Sequence, residues 1–203
     1  YTFLVKVTPA EQESFLAVYK PQQGEQLLWD FPNNTLAHRE VAAYLVSEAL
    51  GFNFIPPTVY RNNGPFGPGS VQFFIEHDPN HHYFNFSDEE FQQLHPVVLF
   101  DLLVNNADRK GGHMIFGEND QMWLIDHGLC FNEVDKLRTV IWDFAGEPIS
   151  EDLCQTITEF RSKLKPPSDL RTELEKHLAP AEIQALIART EDLLPCRQFP
   201  SPP

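Results

Sequence analysis

The most informative part of the chain is the sequence NNADRKGGH, residues 105–113. It lies between a helical pattern and two short strand patterns, and it combines amides, a carboxylate, two cations, two glycines and a histidine. Turn geometry accounts for asparagine, aspartate and glycine in such a loop. It does not account for Arg109, Lys110 and His113, and we therefore predict that the loop carries chemistry.

A second carboxylate follows this loop, at the end of a predicted strand. Residues 122–125 have a strand pattern, and Asp126 comes directly after them in the sequence IDHGLCF. An aspartate before a glycine is common in structural turns, but the same placement lets a carboxylate hold a metal ion in a cleft. Gly128 is then expected to let the backbone turn away after the ligand.

Two residues upstream complete the pattern. Lys20 ends a predicted strand and shares one face of it with Leu16 and Val18, because side chains alternate along a strand. Its ammonium lies either in water at the strand end or over a cleft. A buried lysine needs a carboxylate partner, and Glu40, early on the predicted helix 36–50, is the nearest candidate.

The order of these residues along the chain is a stronger signal than any one of them. A strand lysine, a helix glutamate, a loop aspartate followed by lysine, and a strand-end aspartate before glycine are the elements of kinase-like phosphoryl transfer. The loop aspartate orients the acceptor hydroxyl, the lysines hold phosphates, and the last aspartate binds metal. Four residues fall at the expected spacings: Asp108, Lys110, His113 and Asp126.

The chain resembles the type II phosphatidylinositol 4-kinases and a bacterial family labelled phosphatidylinositol 3-/4-kinase-like, of actinobacterial type. The resemblance covers most of residues 1–165. It rests on these segments: AVYKP (17–21), REVAAYLVSEALG (39–51), IPPT (55–58), GSVQFF (69–74), NNADRKGGH (105–113), IDHGLCF (125–131) and KLRTVIWDFAGEP (136–148).

This resemblance implies an α+β chain with a two-lobed protein-kinase-like fold and ATP between the lobes. We assign residues 1–75 to a small β-rich N-lobe with one helix and an incomplete phosphate loop, and residues 76–203 to a mainly helical C-lobe with the catalytic loop. Implied nucleotide contacts come from the paired lysine and glutamate, from residues above and below the adenine, and from the hinge backbone. They are Lys20, Glu40, Val18, Ile125, Phe73, Phe74 and Ile75.

Three departures from the family pattern bear on the chemistry. His113 stands where asparagine is usual, and imidazole suits Mn²⁺ better than Mg²⁺, so this residue either shifts the metal preference or makes only a hydrogen bond. No glycine-rich phosphate loop is visible in the sequence, and we expect this loop either upstream of Tyr1 or in a minimal form. The segment after Asp126 is short and does not resemble a protein-kinase activation segment.

Composition narrows the classes of partner. The 203 residues have 29 acidic and 15 basic side chains, a formal net charge of −14. Such a charge disfavours binding to nucleic acid or to anionic lipid. We expect no stable membrane insertion, because the longest apolar run is far below the roughly 20 residues of a span. Three cysteines without paired spacing fit the reducing cytoplasm.

The sequence therefore predicts an ATP-dependent phosphotransferase that uses Mg²⁺ or Mn²⁺ and an unidentified hydroxyl acceptor. The acceptor is a protein serine or threonine or a small polyol, and the charge disfavours a lipid. One alternative is a nucleotide-binding pseudokinase that acts as an interaction module. Another is a metal-dependent phosphohydrolase using histidines and aspartates of residues 77–82, 108–113 and 126–127.

Some local predictions concern the remaining chain. Residues 62–69 are expected to form a turn, and Pro96 is expected to split or kink a helical stretch over 88–103. The sequence HDPNHH, residues 77–82, is interpreted as a solvated linker rather than a metal site. Helices are expected from Ser150 to about 164, from Ser168 onward and over 181–194. The last residues, 198–203, are expected to fray.

Overall fold

A four-stranded antiparallel sheet forms most of the N-terminal lobe. The computed structural model describes residues 1–11 and 13–202. The strands lie in the order β1-β2-β4-β3. Their bounds are β1 Phe3–Val7, β2 Phe15–Pro21, β3 Thr58–Gly64 and β4 Gly67–Phe73.

The pairing register of this sheet decides where Lys20 points. Lys20 is opposite Ser70, and Val18 is opposite Gln72. Residues directly opposite in an antiparallel pair lie on the same face. On that face the Gln72 amide donates to the Thr58 hydroxyl at 2.9 Å. The same face is turned towards the first helix, so Lys20 meets the helix and not the solvent.

Helix α1, Leu36–Leu50, lies between the sheet and the rest of the molecule. It ends at Gly51, which adopts the left-handed conformation that glycine tolerates best. Its buried residues surround the helix instead of forming one stripe, as expected for a helix packed on several sides. Ala42, Val46 and Leu50 join the hydrophobic core of the helical lobe. The helix therefore belongs to both lobes.

The C-terminal lobe is mainly helical, with one short hairpin. Its elements are α2 Asp88–Phe91, α3 His95–Val104, β5 Met114–Phe116, β6 Met122–Leu124, α4 Glu151–Lys163, α5 Asp169–Leu174 and α6 Pro180–Cys196. The core contains large apolar side chains that are fully buried, each contributing roughly 1.5–3 kcal/mol. They include Leu99, Phe100, Leu103, Leu124, Phe131, Ile157, Phe160, Ile183 and Leu186.

The helical stretch 88–103 is split as predicted, because α2 ends at Phe91 and Pro96 lies in the first turn of α3, where its missing N–H costs nothing. Two other local predictions need correction. Most of residues 62–69 belong to strands β3 and β4, which shortens the turn between them. The C-terminal segment does not fray at Phe199, which is 2 % exposed. Its backbone N–H donates to Glu147 O at 3.0 Å. Its ring packs into the hydrophobic core beside α3, and these two contacts hold the segment in place.

The structure also bears on membrane insertion. Across residues 1–11 and 13–202, no helix is both long and apolar enough to cross a bilayer.

Candidate active site

Six residues singled out in the sequence line one cavity of about 450 Å³. The cavity is bounded by β2, by α1, by the loop 105–113 and by the residues after β6. The six residues are Lys20, Glu40, Asp108, Lys110, His113 and Asp126.

Lys20 and Glu40 form the predicted ion pair between strand and helix. The Lys20 ammonium is 2.5 Å from Glu40 Oε1 and also contacts Asp126 Oδ1. Burial opposes the charged form of the lysine, but the two carboxylates outweigh it and raise the pKa of Lys20. The other Glu40 oxygen, Oε2, accepts the backbone N–H of His127 at 3.1 Å. Glu40 thus joins β2 to the segment that follows β6.

Asp126 has the geometry of a strained functional residue. Its φ is +61°, a conformation that is uncommon outside glycine. Gly128 does not have a positive φ, so the left-handed turn lies at the carboxylate itself and not at the glycine. Burial opposes ionisation of Asp126, but the Lys20 ammonium dominates and lowers the pKa of the carboxyl group. Asp126 is therefore an anion throughout the neutral range.

His113 is placed to share a cation with Asp126. Its Nε2 lies 3.4 Å from Asp126 Oδ2. Burial lowers the pKa of His113, so the ring is neutral at neutral pH and offers a nitrogen lone pair. Its Nδ1 is buried and has no hydrogen-bond partner among the described residues. One carboxylate, one imidazole and nucleotide phosphates are a donor set that fits Mn²⁺ and, less well, Mg²⁺.

Asp108 and Lys110 form the other charged pair of the cavity. The Lys110 ammonium lies 2.7 Å from Asp108 Oδ2, and both side chains are partly exposed. The Asp108 backbone N–H donates to the side-chain oxygen of Asn106 at 3.0 Å. A carboxylate held in this way can accept a proton from a hydroxyl that enters the cavity.

A buried polar network lies beneath the loop 105–113, and the sequence analysis missed it. Asp101 on α3 accepts from Arg109 Nε at 2.9 Å and from Arg109 Nη2 at 2.8 Å. It also accepts from Asn106 Nδ2 at 2.9 Å. Arg109 reaches His127 Nε2 at 2.9 Å, and burial lowers the pKa of this histidine well below its usual value. The neutral ring accepts the guanidinium N–H.

This network fixes the two carboxylate loops relative to each other. It joins α3, the loop 105–113 and the segment after β6 through one fully buried guanidinium. The signal in the sequence was Asp101 itself, a charge inside the apolar run PVVLFDLLV. A buried carboxylate requires a partner, and Arg109 follows eight positions later.

The residues expected near an adenine ring lie outside this cavity. Val18 shares a sheet face with Lys20, as the register shows. The Phe73 ring lies on the opposite face and stacks on Phe15, with ring centres 5.5 Å apart. The Ile75 side chain packs near Gly117, and the Ile125 N–H donates to His113 O at 3.0 Å.

The loop between β2 and α1 contributes residues that the sequence analysis did not select. Gly24, Glu25 and Gln26 line the cavity beside Lys20. The Glu25 carboxylate accepts from the backbone N–H of Ala37 at 3.2 Å, at the positive end of the α1 dipole. Burial raises the pKa of Glu25 in spite of these contacts. The loop therefore forms one wall of the cavity and caps the helix.

Residues 77–82 take no part in the cavity. His77 contacts Ile75 O at 2.9 Å, and His81 contacts Glu90 at 3.1 Å. Within the described part of the chain, no three histidine, cysteine, aspartate or glutamate side chains group as a ready-made metal site. A cation at His113 and Asp126 would thus need oxygen atoms from a nucleotide.

A second, larger cavity of about 960 Å³ adjoins the same loop. It is lined by Ala107, next to Asp108, and it shares Leu129 with the first cavity. Trp29, Trp142, Arg138 and Arg189 are among its walls.

Two solved structures that match this fold are described as kinases. The Helicobacter pylori proinflammatory kinase CtkA matches with a TM-score of 0.57 and 11% identity, over 97% of this chain and 88% of its own. The Golgi casein kinase with Mn and ADP bound matches with a TM-score of 0.54 and 17% identity, over 89% of this chain and 66% of its own. Both likenesses show the two-lobed kinase-like fold that the sequence predicted.

Sequence relatives narrow the family. Protein Rv2133c of Mycobacterium tuberculosis is 37% identical over 236 residues, covering 99% of this chain and 84% of the relative. Phosphatidylinositol 4-kinase gamma 2 of Arabidopsis thaliana is 27% identical over 199 residues, which cover 78% of this chain and 36% of the plant protein. The chain thus spans only about a third of the plant kinase.

The family match covers most of the site. The sequence model of phosphatidylinositol 3- and 4-kinase matches residues 33–180, a segment that contains Glu40, Asp108 and Asp126. Together with the fold and the mycobacterial relative, this match confirms the resemblance read from the sequence. The chain belongs to the phosphatidylinositol 3- and 4-kinase family.

Proposed function

We propose that the protein is an ATP-dependent phosphotransferase that moves the γ-phosphoryl group to a hydroxyl. The observation that carries this proposal is the convergence of Lys20, Asp108 and Asp126 in one cavity, with Lys20 already paired to Glu40. Kinases need this combination because phosphoryl transfer depends on positioning and on charge stabilisation. Membership of a kinase family supports the same assignment.

Each residue has a defined part in the reaction. Lys20 binds the phosphates, and Glu40 holds it in place on the strand side. Asp108 orients the acceptor hydroxyl and takes its proton as the new P–O bond forms and the bond to ADP breaks. Lys110 leaves Asp108 and steadies the transferring phosphoryl group. Asp126 and His113 would hold Mn²⁺ or Mg²⁺, which neutralises phosphate charge during transfer.

The adenine is placed by the expected hinge. Its ring lies below Val18 and above Ile125, and the backbone of Phe73, Phe74 and Ile75 faces its edge. This placement is supported by Val18, which shares the sheet face of Lys20.

We propose that the acceptor enters through the larger cavity. This cavity reaches Ala107 and Leu129 and so brings a hydroxyl to Asp108 from the side opposite the nucleotide. A protein serine or threonine or a small polyol fits better than a lipid, because a net charge of −14 repels an anionic bilayer. Buried, unpaired cysteines at Cys130 and Cys154 are consistent with work in the cytoplasm.

A pseudokinase is the second candidate. The observation in its favour is that Lys20 contacts Asp126 as well as Glu40, so the metal ligand is engaged by a lysine. A phosphohydrolase built on residues 77–82 has no such support, since these residues lie outside the cavity.

The test is mass spectrometry of a cell extract incubated with the protein and with ATP labelled at the γ-phosphate. We expect label on one or a few acceptors in the presence of Mn²⁺ or Mg²⁺, and none with Asp108→Asn. Nucleotide binding in a thermal shift assay without any transfer would establish the pseudokinase instead. If the wild-type protein neither binds ATP nor transfers label, the proposal is wrong.

A further inference from the structure

We infer that Arg39 is a positioning residue that sets Glu40 and the metal-binding segment, through an ion pair with Glu182 on the last helix. The inference rests on the proposed function. It concerns two buried charges outside the predicted site, and Glu182 lies beyond the residues that the family model matches.

Four residues from three parts of the chain contact Arg39, which is only 1 % exposed. Its Nη1 donates to Cys130 O at 2.5 Å, and its Nη2 pairs with Glu182 Oε1. Its Nε contacts Thr35 Oγ1 at 3.3 Å, and its Cζ lies 4.9 Å from the centre of the Phe31 ring. The planar guanidinium satisfies all of these at once, which a lysine ammonium cannot do.

Glu182 is itself held in place by helix α6. It lies in the first turn of α6, where the helix dipole favours a negative charge. Its Oε2 accepts the backbone N–H of Ala179 at 2.8 Å, which caps the helix. The whole residue is 8 % exposed. Arg39 is therefore tied to a fixed point of the helical lobe and not to a mobile side chain.

Consecutive residues of α1 hold the segment after β6 at two points. Glu40 accepts the N–H of His127, and Arg39 donates to the carbonyl of Cys130. The segment between them begins directly after Asp126. The position of α1 relative to α6 consequently fixes the position of the Glu40 carboxylate. It also fixes the path of the backbone that follows Asp126.

A purely structural role makes a different prediction. A buried ion pair can often be replaced by apolar side chains without loss of stability. If Arg39 only fills the core, such a replacement restores both folding and activity. If Arg39 positions the site, the replacement restores folding alone, because no apolar side chain donates to Cys130 O.

The decisive variant is therefore the double replacement Arg39→Met with Glu182→Met. We expect a folded protein with a moderately lower melting temperature, because the double variant loses the α6 cap that Glu182 provides. We also expect a kcat for phosphate transfer lower by about 100-fold and a little-changed KM for ATP. Arg161→Met, which breaks an exposed pair with Glu191 on the same lobe, is the control and should keep the wild-type kcat. Wild-type kcat in the double variant would overturn the inference.

Two further measurements hold even if the double variant does not fold. Glu182→Gln keeps an oxygen that can cap α6 but removes the negative charge that pairs with Arg39. Arg39→Lys keeps the positive charge but loses the several N–H donors of the planar guanidinium. Hydrogen exchange at the His127 and Phe131 amides should be faster in both variants than in Arg161→Met. Hydrogen exchange needs no substrate. If the wild-type protein shows no kinase activity but exchange is faster in the two variants, the proposed function is rejected and the positioning role of Arg39 is retained. Unchanged exchange rejects the role of Arg39.

Discussion

The sheet and the helical lobe contribute to the cavity in different ways. The sheet supplies one charged side chain, Lys20, from the end of a strand. The helical lobe supplies the carboxylates, and it supports them with a buried network around Arg109 and with the ion pair of Arg39. Because α1 packs into the core of this lobe, the helices fix the position of Glu40. The sheet places Lys20 within ion-pair distance of it. Buried ion pairs thus hold the helical side of the cavity, whereas the sheet side is joined to it through the contacts of one lysine.

The largest effect tests the helical side directly. Asp108→Asn removes the carboxylate that takes the hydroxyl proton in the proposed mechanism, while leaving the size of the side chain nearly unchanged. We expect the rate of phosphate transfer from labelled ATP to fall by about 10²–10⁴-fold, with ATP binding retained. Asp152→Asn, on an exposed turn of α4, serves as the control. Transfer at the wild-type rate in Asp108→Asn would show that the catalytic assignment is wrong.

The next effect concerns the support beneath the loop. Arg109→Met leaves Asp101 buried without its partner, and we expect it to lower the free energy of unfolding by about 3–5 kcal/mol. Urea denaturation measures this loss. Arg161→Met breaks an exposed ion pair and should cost less than about 1 kcal/mol. Equal losses in the two variants would contradict the view that this network makes the lobe rigid.

A pH effect is expected where α1 meets the helical lobe and the sheet. His38 and His177 lie 3.0 Å apart, and His38 stacks on Tyr60 of β3. Burial, followed by the charge of His38, lowers the pKa of His177 to about 4. The unfolded histidine titrates near 6.5, so the unfolded state binds more protons between these values, and stability falls as pH drops from 6.5 towards 4.

The measurement is the free energy of unfolding between pH 7 and pH 4. His177→Gln should flatten its pH dependence by on the order of 1–2 kcal/mol, a figure reduced for partial solvent screening. His77→Gln is the control, because the one hydrogen bond of the His77 ring to a described residue is with Ile75 O, and it should leave the curve nearly unchanged. A curve for His177→Gln that is as steep as the wild-type curve would remove this pair as its source.

The smallest expected effect tests whether the turn after β6 depends on Gly128 or on Asp126. A Cβ added at Gly128 would meet Leu36 Cβ at 3.4 Å and Glu40 Oε1 at 3.7 Å, which are ordinary contacts. We expect Gly128→Ala to change the free energy of unfolding by less than about 1 kcal/mol and to keep transfer activity. A large loss of stability in a thermal melt would mean that the turn after β6 does depend on glycine.

The sequence was sufficient to predict which charged residues meet and in which fold. The order and spacing of four charged residues along the chain match those of kinase-like sites, and this match can be recognised without knowing how the chain packs. The four residues, Lys20, Glu40, Asp108 and Asp126, do line one cavity. The helix 36–50 and the hairpin after residue 113 followed from periodicity and turn residues, which are local properties. These features are therefore visible in a single chain.

Long-range support could not be predicted in the same way. Arg39 and Glu182 are 143 positions apart, and nothing local marks either of them as buried. The docking of Phe199 likewise depends on a gap beside α3 that only the folded chain creates. The turn at Asp126 was assigned to the following glycine because the local rule favours glycine, whereas tertiary contacts hold the aspartate in the left-handed region.

The contact of Lys20 with both Glu40 and Asp126 has a consequence for the order in which ligands arrive. A free divalent ion that approaches Asp126 must first compete with an ammonium that already neutralises this carboxylate. When a nucleotide enters, the Lys20 ammonium can bind its phosphates instead of Asp126. The Asp126 carboxylate is then free to bind the cation that accompanies the nucleotide. We therefore expect metal and nucleotide to bind as one complex, and the protein alone to show weak affinity for either ion.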